Sequence, residues 1–437
     1  MPKLPKELHR YFAVCPKVVL SERQTEVKII PLDRYVAFDP SNTYQVTLFP
    51  MESLDSAEWN WKGPTFPAQV QGGNLVFSAV FRGEQKYILT IEAVRDGQVE
   101  SVGDVAMYSA GKDLLERFPY KGDLHMHSFH SDGIESPAYV AAMCRKIGMD
   151  FMAITDHGKY FPSLEAMQAF CDLPVDLKIF PGEEVHPPQN PIHIVNFGGS
   201  FSINELFIKD DRYKEEVLLR QKQNGSPPAG ADPHWVASAQ WCFDKIREAG
   251  GLGIFCHPYW FANRMVRIPE SLTSALLETQ PFDALELLGG YHRFEADANM
   301  LQVVRYYEET AKGKRIPIVG VSDAHGCHGD LFGWYYTLVF SPSLELTALI
   351  QSIKSQYSVA VEALPGELVH VYGPFRLVKY ALFVLEEMMP VHDALCAEEG
   401  GYMLAHLSGD AEAAEKLRLS QGRTQKLLNA YLTGINA

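Results

Sequence analysis

Two hydrophobic periods divide this chain. Up to about residue 118 apolar and polar positions alternate: Tyr44 to Phe49 is one such run and Tyr87 to Val94 another, with Arg82-Gly83-Glu84 and Asp96-Gly97 supplying turns. Strand side chains point alternately to opposite faces, so this pattern predicts short half-buried strands. Strands at this spacing predict a small antiparallel β-sandwich over residues 1–118. No catalytic side chains cluster there, so an accessory domain is expected.

From Lys121 the period changes. Strand-like runs at Asp123 to His127, Met149 to Thr155, Lys178 to Glu184, His193 to Phe197, Leu252 to Cys256, Ala284 to Leu288 and Ile316 to Val321 alternate in part with helical stretches. That is the pattern of a parallel α/β architecture, and seven such strands point to a barrel over residues 119–364. The first helix is well punctuated: Ser136 can cap it, Pro137 suits its first position, and Tyr139, Val140, Met143, Cys144 and Ile147 form one apolar face. Gly148 can end it. An insertion at 200–241 carries a helix from Asp210 to Gln223 and the flexible Gly225 to Gly230 stretch, a candidate lid or a solvated surface helix. Residues 365–437 read as a helical extension, with Leu377, Val378, Ala381, Leu382 and Leu385 at helical spacing and a further helix from Ser420 to Leu432.

Composition narrows the function classes. The 437 residues are 46% hydrophobic and 21% charged, an ordinary globular balance, but 39 Lys+Arg against 54 Asp+Glu give a formal charge of −15. Phosphate contacts need cationic side chains, so long nucleic acid is disfavoured as a substrate. The Met1 to Glu7 stretch has no apolar core of signal-peptide length and no run of about 18 apolar residues occurs, so a cytoplasmic protein is expected. Seven cysteines, odd in number and never spaced C-x-x-C, indicate neither a disulfide framework nor a thiolate zinc cluster. Cys256 and Cys327 lie beside the candidate ligands named next.

Those candidates sit at the ends of the apolar runs. His125 and His127, two apart in Gly122-Asp123-Leu124-His125-Met126-His127-Ser128-Phe129-His130-Ser131-Asp132-Gly133, share one face of an extended segment. Downstream come Thr155-Asp156-His157-Gly158, Pro181-Gly182-Glu183-Glu184-Val185-His186, His193-Ile194-Val195, Cys256-His257-Pro258 and Val321-Ser322-Asp323-Ala324-His325-Gly326. Histidines and carboxylates gathered at the carboxyl ends of barrel strands are where such folds build active sites.

This ordered set resembles the PHP (polymerase and histidinol phosphatase) superfamily, over roughly residues 119 to 360, and within it the stand-alone metal-dependent phosphoesterases. The resemblance implies a distorted (β/α)7 barrel and nine metal ligands: His125, His127, Asp132, His157, Glu184, His193, His257, Asp323 and His325. It implies one ion held by His125, His127, Glu184 and Asp323, a second by Glu184, His193 and His257, and a third by Asp132, His157 and His325. Glu183 is the rival for the bridging role, and the family spacing selects Glu184. Six imidazoles, three carboxylates and no thiolate suit two to three Zn²⁺, Mn²⁺ or Fe²⁺ ions better than Ca²⁺ or Mg²⁺. The implied activity is hydrolysis of a phosphomonoester of a small metabolite or nucleotide by a metal-bridging hydroxide.

Around the nine, His130, His186 and His328 are candidates for protonating the leaving group or touching substrate. Lys159, Arg264, Arg267 and Arg376, and more weakly Arg293, are candidates for holding phosphate oxygens. An amidohydrolase-type hydrolase also uses His-x-His in an α/β barrel, but the early Asp132 and the Asp323/His325 pair fit the phosphoesterase order better. A non-catalytic PHP-like binding module would be expected to have lost ligands. No membrane partner is expected, and a homo-oligomer is compatible with the sequence.

Overall fold

The structure is a computed structural model that describes residues 11–52, 63–95, 97–209, 212–262, 264–290 and 296–433. Asp96 of the Asp96-Gly97 turn, Asp210 at the start of the insertion helix, Arg293 and the Met1 to Glu7 stretch lie outside them. The chain divides into two compact units. One comprises residues 1–118, 379–392 and 422–437; the other comprises 119–378 and 393–421. The C-terminal helices therefore contribute to both.

In the first unit the alternation predicts what forms. Gln85–Arg95 alternates buried and half-buried positions along nearly its whole length. It is one of eight strands, with Phe12–Cys15, Val18–Leu20, Gln24–Pro31, Thr43–Pro50, Thr65–Gln71, Asn74–Val80 and Gln98–Ala110. Thr65–Gln71 pairs with Thr43–Pro50 through Ala68 and with Asn74–Val80 from Gln69 onward, passing from one ladder to the other. The hairpin after it turns on Gly72 and Gly73, whose φ values of +57° and +84° suit a two-residue primed turn. Val27, Ile29, Val46, Leu75, Leu89 and Met107 are fully enclosed in the core of this unit. From the C-terminal region, Tyr380 and Phe383 pack on Tyr108 at ring distances of 4.9 and 5.3 Å.

In the second unit two mixed sheets form a nearly closed, barrel-like wall. One runs in the order Lys178–Phe180, Phe151–Ala153, Phe118–Asp123, Tyr335–Ser341, Ser358–Glu362, His370–Tyr372. The other runs Gly182–Val185, Ile194–Phe197, Leu252–Phe255, Ala284–Leu288, Ile318–Gly320. Isolated parallel bridges, Met126 to Ala324 and His157 to Glu184, join the two sheets. The wall is not all-parallel as the alternation of runs suggested. Ile194–Phe197 is antiparallel to both neighbours; toward Gly182–Val185 the reason is that residues 186–193 are too few to make the crossover that a parallel pair needs.

Helices cover the wall, and the first is placed as its punctuation predicts. Pro137–Lys146 is capped by Ser136, whose Oγ accepts from Tyr139 N–H at 3.3 Å, and the chain leaves it through Gly148 at φ +97°. The insertion folds as Asn204–Lys209, Arg212–Asn224 and Pro233–Glu248. Its Tyr213 ring lies 4.8 Å from Phe207 and 4.9 Å from Trp241, and Ile203, Tyr213 and Val217 are buried in the core of this unit. All seven cysteines are free. No helix among the described residues is long and apolar enough to cross a membrane.

Candidate metal centre

The seams between the two sheets are where the chemistry collects. After Phe118–Asp123 the chain stays extended. His127 N–H donates to Ala324 O at 3.0 Å, and Asp323 N–H donates to His125 O at 2.9 Å. These bonds set His125 and His127 beside Asp323. At the other seam Glu184 N–H reaches Asp156 O at 3.3 Å, and Gly158 N–H reaches Glu184 O at 2.9 Å, so His157 faces Glu184. His193 precedes the strand Ile194–Phe197, and His257 follows Leu252–Phe255. His257 and Asp323 take φ values of +23° and +50°, unusual for residues with a Cβ and found where a site over-determines the backbone.

The nine implied ligands form one connected cluster, with five of the imidazoles against the Glu184 carboxylate. Glu184 Oε2 lies 3.6 Å from His125 Nε2 and from His127 Nε2, 3.5 Å from His186 Nε2, and against His157 Nδ1. Glu184 Oε1 lies 2.7 Å from His193 Nδ1 and 3.4 Å from His257 Nε2. Asp323 Oδ1 is 2.9 Å from His127 Nε2 and 3.3 Å from His125 Nε2. Asp132 is 3.3 Å from both His157 Nε2 and His325 Nε2. Burial is graded: the side chains of His125, His127 and Glu184 are fully enclosed, whereas Asp132 at the mouth is 55% exposed. A cleft of about 500 Å³ opens onto the cluster, with Trp260, Phe261 and Leu331 as its apolar wall.

The neighbouring glutamate is excluded from the cluster by strand geometry. Glu183 points to the opposite face of Gly182–Val185, where Ser202 Oγ, Asn204 Nδ2 and Asn196 Nδ2 donate to it at 2.7, 2.8 and 3.2 Å. Of the other candidates, His186 lines the cleft and contacts His157 Nδ1 at 3.0 Å. His130 instead pairs with Glu165 at 2.6 Å, and His328 with the Tyr139 hydroxyl at 3.1 Å. Lys159 donates to the carbonyl of His130. Arg264 and Arg267 are exposed on and just after the Phe261–Ala262/Met265–Val266 hairpin, and Arg376 is half-buried in the first turn of Phe375–Glu387. None of these five side chains nor His328 lines the cleft.

Charge and burial oppose each other throughout. Burial raises the Glu184 carboxyl, but His193 and His125 outweigh it and hold the group well below the carboxylate range. Burial lowers His193 to about 4 in spite of Glu184, and it lowers His127 in spite of Asp323. His157 is raised to about 9, because Glu184, Asp132 and Asp323 outweigh its burial. Amid these contacts His125 Nε2, Glu184 Oε2, His193 Nδ1 and His257 Nδ1 are buried without a well-aligned hydrogen bond among the described residues. Buried polar atoms left so are costly, and a shared cation satisfies lone pairs that face one another. The donor set therefore fits divalent metal ions, and groupings such as His127/Asp132/His157/His325 and His125/Glu184/His257 have the necessary spacing.

Two carboxylates behind the cluster escaped the sequence reading. Glu286, fully buried, lies 2.9 Å from His125 Nδ1. Asp156, also fully buried, accepts from Ser128 N–H, Ser128 Oγ and Ser131 Oγ at 2.6, 2.5 and 2.6 Å. The signal for Glu286 was available: a lone acid inside the apolar run Ala-Leu-Glu-Leu-Leu needs a buried partner.

Parts of the chain are similar to known proteins. A 70-residue stretch is 44% identical to the DNA polymerase/3'-5' exonuclease PolX of Bacillus subtilis, covering 16% of this chain and 12% of the polymerase. An uncharacterised protein of Methanocaldococcus jannaschii is 24% identical over 184 residues, 40% of this chain and 84% of that one. Among solved structures, a two-domain protein from Bacteroides vulgatus described as containing a predicted PHP-like metal-dependent phosphoesterase aligns at 16% identity and a TM-score of 0.38, covering 56% of this chain and 65% of its own. The chain thus spans a small part of the polymerase and just under two thirds of the Bacteroides protein. The family model of the PHP domain matches residues 123–226, which hold six of the nine clustered side chains.

Proposed function

We propose that this chain is a metal-dependent phosphoesterase that hydrolyses a phosphomonoester of a small metabolite or nucleotide. The observation that carries the reading is the convergence of six imidazoles within 3.6 Å of one buried carboxylate, Glu184. His125, His127, Glu184 and Asp323 would hold one ion, Glu184, His193 and His257 a second, and Asp132, His157 and His325 a third. Bound Zn²⁺, Mn²⁺ or Fe²⁺ supplies a nucleophile at neutral pH and neutralises the charge developing on phosphate.

The protein's own groups supply the rest. His186, stacked on His193 at 4.1 Å and lining the cleft, would hand a proton to the departing alcohol oxygen. Trp260, Phe261 and Leu331 exclude water from one side and accept the organic part of the ester. A cleft of about 500 Å³ in a protein of charge −15 favours a small ester over a polymer.

The test is phosphate release by protein supplied with Mn²⁺ or Zn²⁺, across sugar phosphates, histidinol phosphate, nucleoside mono- and bisphosphates and short oligonucleotides. Asp323→Ala is the control. Release that the control lacks, with its circular dichroism unchanged, supports the assignment. Equal release by Asp323→Ala, or none from any ester by metal-loaded protein, overturns it.

A further inference from the structure

Glu286 sits in the middle of the strand Ala284–Leu288, every residue of which is buried. A carboxylate there is expensive to bury unless each oxygen is matched. Both are matched by site residues: Oε2 lies 2.9 Å from His125 Nδ1, and Oε1 lies 3.3 Å from the backbone N of His257. The two residues it holds lie 132 positions apart in the chain, on opposite sides of Glu184 (257 − 125 = 132). Space for the carboxylate depends on Gly289, where a Cβ would stand 2.9 Å from Oε1.

From this geometry we propose that Glu286 is the positioning residue of the centre, fixing the His125 tautomer and the His257 backbone together. The proposal rests on the ligand assignment above. An ionised carboxylate only accepts, so His125 must carry its proton on Nδ1 and present the Nε2 lone pair toward Glu184 and Asp323. The same carboxylate holds the His257 amide while that residue takes φ +23°, a conformation its side chain does not favour. Asp156 cannot serve His127 in the same way: its oxygens are taken by serine donors and its approach to His127 Nδ1 is 4.0 Å.

Glu286→Gln keeps the shape and removes half of this. Its NH₂ must face either the His125 ring, driving the proton to Nε2, or the His257 N–H, donor against donor. Mn²⁺ and Zn²⁺ binding would be measured by calorimetry on wild type, Glu286→Gln and Asp323→Ala. The expected result is 10- to 100-fold weaker binding by a folded Glu286→Gln. Wild-type affinity in that variant, while Asp323→Ala loses metal, overturns the proposal and leaves the ligand assignment standing. If Asp323→Ala binds as wild type does, the ligand assignment fails and the proposal with it. A second reading needs no variant: ¹⁵N spectra of the histidine side chains in zinc-loaded wild type should show His125 protonated at Nδ1. Protonation at Nε2 overturns the proposal even if Glu286→Gln does not fold.

Discussion

Asp323 stands where three demands meet. It approaches two imidazoles, takes φ +50°, and has its Oδ2 edge against Gly290. A Cβ on Gly290 would lie 2.8 Å from that oxygen, and the glycine itself sits at φ +67°. Gly290→Ala should therefore carry two costs: about 1 kcal/mol of backbone strain, and displacement of the carboxylate. Gly313→Ala separates them, because Gly313 has φ +90° with nothing within 4 Å of the added carbon. In denaturant titrations Gly290→Ala should lose at least as much stability as Gly313→Ala. Only Gly290→Ala should lose phosphate release, on the order of 10- to 100-fold, as when ligand surroundings are disturbed. Parallel activity losses in the two would show that the close approach to Asp323 does not matter.

Helices of the second unit are tied by one buried cation. Arg145, in Pro137–Lys146, donates to Glu399 at 2.9 and 2.8 Å, to Asp150 at 3.1 Å and to the Met149 carbonyl at 3.0 Å. Burial pushes the Glu399 carboxyl up even with that guanidinium beside it. Arg145→Met leaves two buried carboxylates without their cation and should cost about 3–5 kcal/mol. Arg418→Met removes an exposed pair with Glu415 and should cost no more than about 0.5 kcal/mol. Urea midpoints of both variants check the difference; equal values would mean the buried network contributes no more than a surface pair. What could be read in advance at this scale was local. Ser136, Pro137 and Gly148 announce their helix because capping and left-handed termination use neighbouring residues, and Glu184 over Glu183 follows from family spacing and agrees with strand alternation. The antiparallel placement of Ile194–Phe197 and the service of Glu286 to His125 are pairings across many residues, which periodicity does not encode. His130 and His328 lie near ligands in sequence, yet Glu165 and Tyr139, brought there by the fold, engage them.

At the scale of the whole molecule, the cluster couples metal, protons and stability. In chelator-treated protein, burial disfavours a proton on His125, His157 and His257, but surrounding carboxylates outweigh it. Asp323, with Cys256, Glu184 and Glu286, raises His125; Glu184 and Asp132 raise His157 to about 9; Glu184 and Glu286 raise His257. Groups raised on folding stabilise the chelated fold fully below the ordinary histidine range, and that stability is lost as pH rises through the folded value, about 9 for His157. Metal needs the same nitrogens unprotonated, so it competes with those protons and gains as they leave. The rise in Tm on adding Mn²⁺ should therefore be larger at pH 8.5 than at pH 6. Saturation at about 100 times Kd contributes roughly 2.7 kcal/mol, a shift on the order of 5 °C for a unit of this size. Asp323→Ala should show little shift at either pH. A wild-type shift that is equal at both pH values, or greater at pH 6, would mean the metal does not displace protons from these histidines, and the ligand assignment would have to be sought elsewhere in the chain.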